Sequence, residues 1–109
     1  MKSSKKLDMH YKPLGTEFYT TCNPDEVEAK LALILKRDEI EPKICPKKYK
    51  VTFTKDEVKF KVQILQCKND TYAIEFSRLS GNKETFLELY RDFKNDPERL
   101  EYFNDAVLQ

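Results

Sequence analysis

Three stretches between Lys48 and Ser77 alternate apolar and polar residues with a period of two. In Lys48–Thr54 the apolar positions are Tyr49, Val51 and Phe53. In Glu57–Gln66 they are Val58, Phe60, Val62 and Ile64, and in Thr71–Ser77 they are Tyr72, Ile74 and Phe76. A chain with this period is extended, with one face buried and one face wet. The separators Lys55-Asp56-Glu57 and Lys68-Asn69-Asp70 are short enough for hairpins. The pattern predicts an antiparallel meander with one apolar face that needs cover.

The flanks supply the cover. Asn23-Pro24-Asp25-Glu26 is a helix start, with Asn23 as cap, Pro24 in the first helical position and Glu26 placed to reach back. Val27, Leu31, Ile34 and Leu35 follow as one apolar stripe, and the helix should end near Arg37–Glu39. After Ser80-Gly81-Asn82, the residues Phe86, Leu89, Tyr90 and Phe93 recur at helical spacing. Glu17–Thr21 reads as a short strand, and Pro42 and Pro46 bracket an edge strand near Ile44. The expected fold class is α+β: a two-layer domain with an antiparallel meander sheet, two amphipathic helices on one face and an extra C-terminal helix.

The organisation follows from these elements. Residues 1–15 are basic and aperiodic and are expected to form a flexible arm. Residues 16–95 form the domain. Asp96-Pro97-Glu98 restarts a helix over 96–109, with Leu100, Phe103 and Val107 as its apolar stripe. At 109 residues the chain has the size of one domain. It has no apolar run of the roughly 20 residues that a membrane helix requires, and no signal-peptide pattern. An intracellular chain is expected, cytoplasmic or nuclear, and peripheral where it meets a membrane.

Little in the sequence points to catalysis. Two isolated glycines, Gly15 and Gly81, make no phosphate loop. Cys22, Cys45 and Cys67 are too few and too widely spaced for a disulfide framework or a zinc knuckle, and are expected as buried or half-buried free thiols. One histidine, His10, argues against a His-based metal cluster. No cofactor, no metal and no catalytic residue is expected.

Charge is the more informative signal. The net formal charge is +1, yet Lys43–Lys68 holds eight lysines against Asp56 and Glu57. Both helical flanks are acidic. The alternation that buries Val58, Phe60 and Val62 turns Lys59 and Lys61 outward, with Lys48 and Lys50 beside them. These four lysines are the candidate anion-binding residues, suited to anionic lipid headgroups or to an acidic protein surface. The ordinary role of exposed strand lysines, solubility and edge protection, competes with that reading. The strand aromatics share the apolar face, so no nucleic-acid interface is expected.

Between the last strand and the second helix lies the Phe76–Phe86 corner, FSRLSGNKETF. Gly81 suits a sharp reversal, Ser80 or Asn82 suits a cap, and Arg78 suits a bond to corner carbonyls or acids. The order of elements now resembles the kinase-associated 1 domain, found at the C-terminus of Ser/Thr protein kinases, and within it the checkpoint-effector version. The resemblance covers Thr16 to about Lys94. It rests on the T-x-F-x-T strand (Thr16, Phe18, Thr20) and on F-x-R-x-S-G-x-x-x-x-F (Phe76, Arg78, Ser80, Gly81, Phe86).

The resemblance implies a non-catalytic, autoinhibitory domain that folds onto the catalytic domain of its own kinase. It also implies contacts with acidic phospholipids and with regulatory proteins, and a chain that is one part of a longer kinase. Arg78, Ser80, Gly81 and Asn82 are then candidate docking residues, joined by Leu100 and Phe103 of the last helix. The alternatives are a stand-alone protein-interaction adaptor and a membrane-anchoring module of the same fold.

Overall fold

The computed structural model describes residues 5–10 and 15–96. Strands and helices follow one another as β1 (Asp8–Met9), β2 (Glu17–Thr20), α1 (Pro24–Arg37), β3 (Lys43–Ile44), β4 (Lys50–Lys55), β5 (Val58–Gln66), β6 (Tyr72–Ser80) and α2 (Lys83–Lys94). The sheet order is β2-β6-β5-β4-β3, all neighbours antiparallel. β1 joins the end of β5 in parallel. The fold is α+β, and β4, β5 and β6 form the expected meander. The proposed helix over 96–109, with Leu100, Phe103 and Val107, lies outside the described residues beyond Asp96.

Both hairpins use turns with left-handed residues. Asp56 and Glu57 have φ of 50° and 66°, and Asn69 and Asp70 have φ of 58° and 57°. Two consecutive positive φ values match the right-handed twist of the flanking strands. Asp and Asn tolerate that region because their short side chains can bond locally.

α1 begins as its sequence requires. Asn23 accepts a bond from the Asp25 N–H at 2.8 Å. Glu26, expected to reach back to the cap, instead pairs with Lys30 at 3.2 Å, one turn on. α2 is capped by Asn82, which accepts from the Thr85 N–H at 2.9 Å.

The core is one cluster on one sheet face. Val27, Leu31, Ile34 and Leu35 of α1 and Phe86 and Tyr90 of α2 meet Val51, Phe53, Phe60, Val62, Ile64, Ile74 and Phe76 of the sheet. Phe76 is its aromatic centre, with Phe18, Phe60, Tyr90 and Phe93 all within 6.4 Å between ring centroids. Tyr90 also donates its hydroxyl proton to the Glu17 carbonyl at 3.2 Å, which ties α2 to β2.

Two expectations need correction. β6 runs through Ser80 rather than stopping at Ser77, with an irregularity opposite Lys59 and Phe60 that leaves Leu79 unpaired. Residues 5–10, expected within a flexible arm, are seated against the sheet. The Lys6 N–H bonds the Lys47 carbonyl at 2.8 Å, Asp8 and Met9 pair with Leu65 and Gln66, and the His10 N–H bonds the Gln66 carbonyl at 2.9 Å. They satisfy the end of β5 that β4 leaves open, because β4 pairs no further along β5 than Gln63.

The corner is structural. Gly81 has φ of +101°, and a Cβ there would lie 2.6 Å from the Glu57 carbonyl oxygen. Arg78 Nη1 donates to the Gly81 carbonyl at 2.9 Å and closes the reversal. Gly81→Ala combines a strained φ with a backbone clash. It should lower the unfolding free energy by about 2–4 kcal/mol in urea titrations. A loss below about 0.5 kcal/mol would show that the corner does not need glycine.

Candidate functional site

The site residues are set by cross-strand rows on the sheet face that the helices leave open. Residues paired directly across strands point the same way. One row runs Lys43, Thr52, Lys61, Ser77, and a second runs Thr54, Lys59, Ser80. A third runs Lys50, Gln63, Glu75, Glu17. The β3–β5 half of the face is therefore basic, and its lysines have neutral cross-strand neighbours. The β6–β2 half is acidic.

Of the four nominated lysines, Lys50, Lys59 and Lys61 stand together on this open face, with Lys59 the most exposed. Lys43 joins them, which the sequence pattern did not single out. Lys55 goes the other way, opposite Val58, and lines the helix side. Lys48 keeps the outward direction but is partly neutralised: its Nζ lies 3.5 Å from Asp8, which also accepts from Gln63 at 3.3 Å. Asp8 arrives only because residues 5–10 are seated, and no local pattern in the sequence reveals that.

Beside Lys48 the loop holds Cys45. The nearby backbone N–H groups of Lys47 and Lys48 act on its sulfur first, and Lys50 and Lys5 add positive charge. Together they lower the Cys45 thiol below the usual cysteine range. Cys67 is the opposite case, raised first by burial and then by Glu17. Cys22, Cys45 and Cys67 are all free and half-buried. At neutral pH, iodoacetamide should alkylate Cys45 faster than Cys67, read by peptide mass spectrometry. Equal rates, or faster labelling of Cys67, would contradict the opposed settings of the two thiols.

The acidic half carries what the sequence did not suggest. Leu65 and Ala73 face outward by parity, yet both are buried. They lie outside the helix-side core cluster. Asp8 pairs with Leu65 and Tyr19 with Ala73, and His10 stands edge-on to Tyr19 at 5.9 Å. The visible signal is Ile64-Leu65, two successive apolar residues that break the alternation. His10 Nε2 then meets Glu17 at 3.1 Å, and Glu75 lies opposite Glu17 across the strands. Burial first, and Glu17 second, raise the Glu75 carboxyl above the ordinary range, against the lowering effect of His10 and Lys61.

On the helix side a cleft of about 150 Å³ separates the ends of α1 and α2. Phe53, Phe60, Phe76 and Phe93 form its apolar wall, and Asp38, Asp92 and Asp96 add carboxylates. Arg37 spans the helix ends, bonding Asp96 at 2.9 Å and Asp38 at 3.2 Å. The corner residues Arg78, Ser80, Gly81 and Asn82 are exposed and lie away from this cleft's lining. Leu100 and Phe103 fall outside the described residues. No described helix is long and apolar enough to cross a membrane.

No protein-family model matches the chain, and no curated protein is significantly similar to it.

Proposed function

We propose that this chain is a non-catalytic regulatory domain of a Ser/Thr protein kinase, of the kinase-associated 1 kind. It docks on its own catalytic domain through the basic half of the open sheet face, and acidic phospholipid competes for that surface. The observation that carries the reading is the group Lys43, Lys50, Lys59 and Lys61. The four stand on one helix-free face beside Thr52, Thr54, Gln63, Ser77 and Ser80 and form no ion pair among the described residues. A charge patch without internal partners retains its field for an external one. The Phe76–Phe86 corner supports the kinase-associated reading, since Arg78, Gly81 and Asn82 there act as one structural unit. The domain would work inside the cell, in cytoplasm or nucleus, and at the inner surface of anionic membranes.

The apolar cleft between α1 and α2 favours a second reading, a protein-interaction adaptor. Its carboxylates suit a partner segment that combines apolar and basic side chains.

Vesicle sedimentation separates the two. The chain should bind vesicles containing phosphatidylserine at low salt and release as ionic strength passes the physiological range, where the screening length is about 8 Å. Replacing Lys43, Lys50, Lys59 and Lys61 by Glu removes four contributions of about 1 kcal/mol each. Partitioning should fall by on the order of a thousandfold. The same substitutions in the full-length kinase should raise its activity. Undiminished vesicle binding and unchanged kinase activity in a folded variant would overturn the basic-face reading and leave the adaptor.

A further inference from the structure

Side chains from three segments of the chain converge on the acidic half of the open face. His10 comes from the seated N-terminal segment, Glu17 from β2 and Glu75 from the middle of β6. One ligand atom from each, the His10 ring nitrogen and a carboxylate oxygen of each glutamate, lie within 4.8 Å of one another. The side chains of His10 and Glu17 are 9% and 4% exposed, so two of the three are nearly withdrawn from water. Glu17 is oriented from behind as well, because its other carboxylate oxygen accepts from the Gly15 N–H at 2.7 Å.

Glu17 and Glu75 are direct cross-strand partners. Like charges in that position destabilise a sheet, and the Glu17 side chain is itself almost fully withdrawn from water. A cation placed between them removes the conflict. One imidazole nitrogen and two carboxylates form a donor set for a divalent transition metal, and Zn²⁺ has no geometric preference of its own to violate. Zn–N and Zn–O bonds near 2.1 Å bring tetrahedral ligand atoms about 3.4 Å apart. The His10–Glu17 separation of 3.1 Å is already close to that value. The Glu75 oxygen lies within 4.8 Å of both other ligand atoms and would close toward that separation on binding.

We propose that His10, Glu17 and Glu75 form a Zn²⁺ site that clamps the N-terminal segment onto β2 and β6. The ion would act structurally. It would hold His10, and with it Asp8 beside Lys48, and so fix how much of the basic patch the segment neutralises. The proposal stands on these three residues and is independent of the kinase reading.

The test is calorimetric titration of the full 109-residue chain with Zn²⁺, repeated on His10→Ala and on the near-isosteric Glu75→Gln. Co²⁺ absorption serves as the second readout. Circular dichroism checks that each variant is folded. The wild-type chain should bind one ion saturably. Each variant should lose at least about 100-fold in affinity, the upper end of what a lost outer-shell partner alone costs. Bound Co²⁺ should show no thiolate charge-transfer band, and Zn²⁺ should slow hydrogen exchange at the His10 amide. No saturable binding overturns the proposal. Equal affinity in folded variants, or a thiolate band that assigns the ion to a cysteine, overturns it as well.

Discussion

Strand β5 is hydrogen-bonded to β4 along its first part, to β1 at its end and to β6 along nearly all of its length. Its side chains fall on alternate faces, and the two faces meet different surroundings. Val58, Phe60, Val62 and Ile64 point into the helix-covered core, at 1–2% exposure. Lys59, Lys61 and Gln63 point to the open side. Register decides everything downstream, because a slip of one residue would put lysines among the phenylalanines. The burial of Phe60 and Phe76 under α1 and α2 therefore holds the lysines outward. Truncating either ring would remove about 3–5 kcal/mol, a large share of the stability of a domain this size.

The open face is divided by the same pairing. From β3 and β4 to β2, the row Lys50, Gln63, Glu75, Glu17 passes from positive through neutral to negative. The N-terminal segment lies along this division. Asp8 reaches Lys48 on the basic side and His10 reaches Glu17 on the acidic side. One short segment thus offers opposite charge to both halves of the face. Any ligand of the lysines near residue 48 competes with Asp8. Whatever fastens His10 strengthens that competitor.

Much of this architecture was legible in the sequence, for a local reason. Period-two alternation, the Asn23-Pro24 and Asn82 caps and the short polar separators are encoded within a few residues of where they act. The outward direction of Lys50, Lys59 and Lys61 follows from the same alternation. Long-range placement was not legible. Asp8 and His10 have no neighbours in sequence that announce a sheet partner, and their seats depend on β4 leaving the end of β5 unpaired. The convergence of His10, Glu17 and Glu75 needs the β2–β6 register, which no local pattern encodes. Ile64-Leu65 was the one local trace, and alone it does not say what covers Leu65. Cys45 is similar: its lowered thiol depends on how the Pro46–Lys48 backbone turns, not on its composition.

The central claim is that the basic half of the open face is the surface offered to acidic partners. Residue-resolved amide NMR on the isotope-labelled chain, titrated with phosphatidylserine-containing bicelles, tests it most directly. The account predicts shifts concentrated at Lys43, Lys47–Lys50, Thr52, Lys59 and Lys61, with Asp8 moving as its contact to Lys48 is contested. Shifts centred instead on Arg78–Asn82 or on the cleft between α1 and α2, with the lysine rows unmoved, would contradict it.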